Sequence, residues 1–186
     1  MKFPMILSVV VTMPFLLPGC GDSSAPQTAT QKNAIAAVET ISPRTSYVAT
    51  LAEGIDFKRD GYPTFVVTTK GVSDKEFFGR WSTDDEVVIE LDDPLPTKFI
   101  VELRAAAFVP NVGKPFIMTI GETQRDFVLD TGNPEKMKDI SISYEVNTNT
   151  KTIHIKVPHA ISPKTLANSA DDRRLGIALG VLRIRE

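Results

Sequence analysis

The residues of this 186-residue chain that could do chemistry are few and widely spaced. Its two histidines, His154 and His159, fall on the polar face of an alternating run and in the loop after Val157-Pro158. Two imidazoles without further His or Cys nearby do not make a zinc site. Acyl-transfer chemistry needs a nucleophile, a base and an orienting acid, with the Ser commonly presented on a strained elbow. No G-x-S-x-G occurs, nor does a phosphate-cradling Gly loop or a dinucleotide fingerprint. Carboxylates cluster at Asp84-Asp85-Glu86 and Asp92-Asp93. Glycosidase chemistry needs two carboxyls facing each other across roughly 5–9.5 Å, whereas neighbours along a strand point to opposite faces. Acidic turns are the simpler account. A calcium loop at Asp84, Asp85 or Asp171 is the one metal chemistry they admit. The chain therefore reads as non-enzymatic, with no cofactor and no resident metal expected.

Two clusters stand out for recognition rather than reaction. Glu76-Phe77-Phe78-Gly79-Arg80-Trp81-Ser82 holds the only Trp beside an Arg. A ring that faces a sugar and a guanidinium that reads its hydroxyls would make a binding patch. Against this, burying a Trp removes roughly 200 Å² from water, worth up to about 5 kcal/mol. Packing is the stronger effect, which places Trp81 in the core and leaves Arg80 nearer the surface. The second cluster runs from Asn168 through Asp171-Asp172-Arg173-Arg174 into the last apolar run. It reads either as a ligand-reading rim or as an Asp–Arg network that pins a long loop.

The single cysteine excludes an intramolecular disulfide, and its position carries the meaning. Lys2 and the apolar stretch from Met5 to Leu17 form an export signal that closes on Leu17-Pro18-Gly19-Cys20. The stretch is too short, and too interrupted by Pro14, for a membrane span. The four residues resemble a bacterial lipobox, with Pro18 departing from the usual pattern. Cys20 is then the acylated residue that anchors the chain in the envelope, periplasm-facing. Gly21 rather than Asp follows Cys20, which leans slightly towards the outer membrane. In the alternative, an ordinary secretory signal, Cys20 is incidental.

These elements must be positioned by a fold. Residues 1–19 are read as signal peptide, and 20–46 as a lipidated tether with a short helix over 34–41. Residues 47–186 are read as an all-β domain. Phe65–Thr69, Val87–Leu91, Phe99–Ala107, Phe116–Ile120, Arg125–Leu129, Ile140–Val146, Thr152–Val157 and Leu175–Arg185 are β-rich, and most alternate apolar with polar residues. Gly176 and Gly180 in the last run imply close approach of another layer. Eight or nine short strands predict an antiparallel two-sheet β-sandwich, jelly-roll-like and of galactose-binding-like type. With 21 basic against 23 acidic residues the formal charge is −2, so nucleic acid is not an expected partner.

Several short motifs recur in order: Gly54-Ile55-Asp56-Phe57, Gly61-Tyr62-Pro63, Gly79-Arg80-Trp81-Ser82, Leu95-Pro96, Ala107-Phe108, Asn111-Val112-Gly113-Lys114-Pro115, Ser162-Pro163-Lys164 and Asp172-Arg173-Arg174-Leu175-Gly176-Ile177. Over residues 54–186 the chain resembles the β-sandwich domain appended to bacterial phosphoglycerol transferases and membrane sugar transferases. Val109 stands where that family usually has Gly. The resemblance implies an accessory module near glycan or glycolipid chemistry, the catalytic centre lying in another domain of the larger proteins. Two functions follow as expectations. The first is glycan binding, with Arg80, Trp81, Asn111, Asp172 and Arg173 as contacts on one loop-bearing end. The second is docking on a membrane glycan-assembly enzyme through an apolar patch near Phe77 and Phe78.

Overall fold

The alternating runs become strands because each can place one side chain in two against a core. The computed structural model describes residues 45–186; Cys20, the export segment, the polar tether and the expected helix over 34–41 lie outside them. In chain order the strands are β1 (Ser46–Tyr47), β2 (Ile55–Asp56), β3 (Tyr62–Pro63), β4 (Val66–Lys70), β5 (Arg80–Trp81), β6 (Glu86–Leu91), β7 (Lys98–Ala107), β8 (Pro115–Ile120), β9 (Thr123–Val128), β10 (Lys138–Glu145), β11 (Thr152–Lys156) and β12 (Ile177–Arg185). The only α-helix among the described residues, Pro163–Leu166, is a single turn capped by the Ser162 hydroxyl.

One five-stranded antiparallel sheet runs β4-β6-β11-β8-β9, and a second runs β10-β7-β12-β2 with β5 also pairing β12. The chain changes sheet at almost every step from β6 onward, and only β8 and β9 form a hairpin in that stretch. This alternation gives the sandwich its jelly-roll character. Asn147-Thr148-Asn149 thus carries the chain from one sheet to the other rather than closing a hairpin.

Val87, Ile89 and Leu91 of β6, Phe116, Met118 and Ile120 of β8, and Ile153 and Ile155 of β11 face Phe99, Val101 and Leu103 of β7 in one continuous core. Each such side chain contributes about 1.5–3 kcal/mol on burial. Among the described residues the buried members of this core fall within 55–184, and residues 41–186 form one compact unit around it. Tyr144 stacks on Phe99 at 5.7 Å and its hydroxyl donates to the Met118 carbonyl at 2.9 Å, a hydrogen bond from one sheet to the other. Burial raises the Tyr144 phenol far above its ordinary pKa.

The last strand does not alternate cleanly, and the reason bears on function. Ile177 and Leu179 point inward, and so do Leu182 and Ile184, which is impossible for an unbroken period of two. A bulge between Leu179 and Val181 resets the phase. It falls on Gly180, where an added Cβ would lie 2.6 Å from the Met137 sulfur. Past the bulge, Val181, Arg183 and Arg185 turn to the outer face of the sheet.

Candidate functional site

That outer face carries a groove of about 600 Å³. Strand register lays its floor in two rows. Asp139 on β10, Arg104 on β7, Val181 on β12 and Asp56 on β2 are successive cross-strand neighbours. Ser141, Glu102 and Arg183 form the second row. Lys58, from the turn after β2, closes one side. Three basic groups (Lys58, Arg104, Arg183) meet three acidic ones (Asp56, Glu102, Asp139), so the formal charge of the groove cancels.

Part of this charge is already paired. Arg104 lies 3.5 Å from Asp139, and Glu102 takes Arg185 at 3.2 Å. Lys58, Asp56 and Arg183 form no ion pair among the described residues. Apart from one Asp56 oxygen, which accepts from the Lys58 backbone N–H, their donors and acceptors line the groove. An arrangement that is mostly polar, balanced in charge and only half satisfied internally suits a neutral ligand rich in hydroxyls.

The turn bearing Lys58 is fixed from behind. Asp56 accepts from the Lys58 backbone N–H at 3.0 Å, while its own backbone N–H donates to the Tyr47 hydroxyl at 3.0 Å. The Arg59 guanidinium covers the Tyr47 ring at 3.8 Å, and partial burial raises the Tyr47 pKa. Arg80 completes the brace. Its Nη1 donates to the Ser73 carbonyl at 3.0 Å and its Nη2 to the Arg59 carbonyl at 3.2 Å, with the Tyr62 ring 5.1 Å away.

The residues singled out from sequence therefore need correction as ligand contacts. Arg80 is only 7% exposed, against the expectation that it lies near the surface: two carbonyls and a ring hold it inside. Trp81 is equally buried, as expected for a core ring, between Phe78 at 5.4 Å and Phe108 at 5.5 Å. Its cluster lies over Ala106 and Ala178, small residues that leave room above the sheet. Asn111 is fully buried and its Nδ2 donates to the His159 carbonyl at 2.8 Å and the Gly176 carbonyl at 3.3 Å. None of these three presents a side chain to a ligand.

Asp172 and Arg173 are exposed, and neither lines the groove. Arg173 holds Asp171 through Nε at 3.0 Å and Nη2 at 2.8 Å, and reaches Glu76 at 3.0 Å through Nη1. The Arg173 guanidinium keeps the Asp171 carboxyl below the usual carboxylate range. Arg174 pairs with Asp84 at 3.1 Å and Asp85 at 2.7 Å, which accounts for that acidic turn. Asp172 makes none of the side-chain hydrogen bonds among the described residues. The loop is a pinned strut.

His154 faces Glu86 at 2.8 Å on the outer side of the other sheet, and His159 contributes only its carbonyl to Asn111. Among the described residues, no group of three His, Cys, Asp or Glu side chains could hold a metal ion. No helix among them is long and apolar enough to cross a membrane. The groove residues Asp56, Lys58, Arg104 and Arg183 escaped the sequence reading because only the order of β10, β7, β12 and β2 brings them together. The polar half of the β7 alternation, Glu102 and Arg104, was the signal that pointed to this face.

Known proteins resemble this chain in sequence, and others more distantly in structure. Phosphoglycerol transferase I of Citrobacter koseri is 30% identical over 139 residues, 72% of this chain and 17% of the transferase. That of Escherichia fergusonii is 31% identical over 141 residues, 73% of this chain and 18% of the transferase. The chain thus spans under a fifth of the length of these relatives. Among solved structures, the C-terminal CBM6 of LamC, a laminarinase of Zobellia galactanivorans, superposes with a TM-score of 0.44 at 15% identity, covering 71% of this chain and 97% of that one. The carbohydrate-binding module CBM6cm-2 of Cellvibrio mixtus lichenase 5A, solved with cellotriose, gives 0.39 at 12% identity, covering 71% and 95%. The ordered motifs from Gly54 to Ile177 and the sandwich they build agree with a match to one family profile over residues 43–186, and the chain belongs to that family, the domain of unknown function DUF7024, which also occurs within phosphoglycerol transferase I.

Proposed function

We propose that this chain is a non-catalytic glycan-binding module of the bacterial envelope, accessory to polysaccharide or glycolipid metabolism, and that the glycan lies in the groove across β10, β7, β12 and β2. The observation that carries the reading is the balance of three cations and three anions along an open sheet face, with Lys58, Asp56 and Arg183 left without ion partners. Sugar hydroxyls both donate and accept, so a row of carboxylates and guanidinium groups of zero net charge can serve many of them at once. Nucleic acid or an anionic lipid surface would call for an excess of cations instead. The family's occurrence in phosphoglycerol transferase I supports a setting of envelope glycan or glycolipid chemistry. In this proposal Cys20 carries the lipid, residues 20–46 are the tether, and the module faces the periplasm.

Docking on a membrane glycosyltransferase through an apolar patch at Phe77 and Phe78 has less support. Phe78 is buried, which reduces the patch to one ring. Glycan arrays followed by calorimetric titration of residues 41–186 test the main reading. Binding to an envelope polysaccharide should be lost in Arg183→Ala and Lys58→Ala, whose melting temperatures should stay near the parent. Absence of heat with any envelope polysaccharide would overturn it. Mass spectrometry of the mature protein tests the anchor: an unacylated Cys20 would remove it.

A further inference from the structure

Phe77 is 73% exposed, on a turn that the rest of the molecule holds in place. It sits at the tip of a turn closed by two backbone hydrogen bonds, Glu76 N–H to the Gly79 carbonyl at 2.6 Å and Gly79 N–H to the Glu76 carbonyl at 3.2 Å. At Gly79 φ is +145°, and a Cβ there would lie 1.9 Å from the Leu179 carbonyl oxygen, so the turn is pressed against β12. Glu76 is clamped by Arg173. The rings continue inward edge to face, Phe77 on Phe78 at 5.3 Å, then Trp81, then Phe108. A ring held in one place at the tip of such a turn is preorganised to meet a ligand.

Beside it lies a second cavity of about 190 Å³. Phe77, Phe78, Pro134 and Met137 make its apolar wall, and Lys58, Arg104 and Glu135 its polar rim. Lys58 and Arg104 also line the large groove, so the small cavity adjoins one end of it. We infer that this cavity is a sugar subsite in which Phe77 supplies the platform for one pyranose ring, while the units joined to that ring occupy the groove; this rests on the glycan-binding reading above. A pyranose has a C–H face that lies on an aromatic ring and a rim of hydroxyls that take charged donors and acceptors. The cavity offers both in that arrangement. Its size is below the roughly 300–1,000 Å³ of sites for larger ligands, which fits a single ring. An acyl chain would be opposed by three charged groups at the rim, and a protein anchor would need a wider apolar surround than one ring.

The probe is isolated envelope polysaccharide, partially hydrolysed and fractionated from two to six sugar units, titrated into residues 41–186. Phe77→Ala should weaken binding of the longer fragments by about threefold to tenfold, the scale of one aromatic contact, with the melting temperature unchanged because the ring is exposed. Phe77→Leu should be as weak as Ala, since it keeps apolar area but loses the flat face. Phe77→Trp should retain affinity and report ligand by fluorescence against the buried Trp81. Full affinity in Phe77→Ala together with loss in Arg183→Ala would overturn the subsite and leave the groove standing. No binding of any fragment to the parent would overturn both. Loss of a protein crosslink in Phe77→Ala, without change in glycan binding, would assign the ring to protein docking instead.

Discussion

Replacing Arg80 by Met separates a brace from a ligand contact. The guanidinium has no carboxylate partner; it holds the Ser73 and Arg59 carbonyls and lies near the Tyr62 ring. Methionine keeps the apolar stem and removes all three interactions. Each buried carbonyl left unpaired costs about 1–3 kcal/mol, and the lost contact with Tyr62 adds about 0.5–2 kcal/mol. Against this, an ion that was desolvated without a counter-charge is no longer buried, which returns part of the loss. The net expectation is a destabilisation of about 3 kcal/mol. For a domain of about 150 residues that is a fall of roughly 10 °C in melting temperature. Total stability on the order of 7–20 kcal/mol leaves the variant folded. Arg80→Lys, with one ammonium for two carbonyls, should recover less than half of the loss. Thermal and urea unfolding by circular dichroism would be run beside glycan titration of the same variants. An Arg80→Met protein that melts within about 2 °C of the parent while losing its ligand would refute the reasoning and restore Arg80 as a contact.

Three further outcomes follow from single side chains. Tyr144→Phe removes the hydrogen bond between sheets and should cost about 0.5–1.5 kcal/mol at neutral pH. Because burial raises the Tyr144 pKa in the fold, the native state keeps a proton that the unfolded chain loses near pH 10. The parent should therefore lose stability as pH rises above about 10, by up to about 1.4 kcal/mol per unit, and urea midpoints should show that component missing in the variant. An identical alkaline slope in both would count against it. Gly176→Ala would put a Cβ 2.1 Å from a Val157 methyl in a closed region and should cost about 1–3 kcal/mol in urea unfolding; an unchanged midpoint would show that the layers yield. Asp171, held in its charged form by Arg173, contributes stability above the unfolded carboxylate pKa near 4 that is lost as pH falls through the lower folded value. With both side chains partly exposed the amount is at most about 1 kcal/mol, so acid titration of Asp171→Asn should show a slightly flatter stability curve below pH 4. A steeper one would contradict the pairing.

The strands were legible because half-buried sheets write their period into the sequence, as Phe99 to Ala107 and Ile140 to Tyr144 do. Gly176 and Gly180 were legible as close approaches for the same reason: a missing Cβ in a strand needs a neighbour to explain it. What periodicity could not supply was the order of strands. Asp139, Arg104 and Asp56 are far apart in the chain and fall into one row only when β10 pairs with β7 and β12 inserts between β7 and β2. The bulge at Gly180 was equally hidden, since Leu179 and Leu182 look out of phase until one residue is left unpaired. Without that bulge Arg183 would point into the core, so the groove depends on a break in the very pattern that identified the strand.

The residues most conspicuous in sequence proved to stand behind the groove rather than in it, and a physical reason connects the two facts. A turn that must present Lys58 or Phe77 to solvent has no core of its own, so its backbone carbonyls and carboxylates need strong, directional partners. Arginine supplies several donors in a fixed fork. Arg80 therefore serves the turn that carries Lys58 through the Arg59 carbonyl, and Arg173 serves the turn that carries Phe77 through Glu76. Arg, Trp, Asn and Asp in loops are the residue types from which binding surfaces are built, and they are equally the types that hold such loops still. Burial separates the two uses: a brace is enclosed or fully partnered, whereas a contact keeps unspent donors and acceptors facing water. By that criterion Asp56, Lys58 and Arg183 are the contacts of the proposed glycan site, and Arg80, Asn111 and Arg173 are braces of the protein.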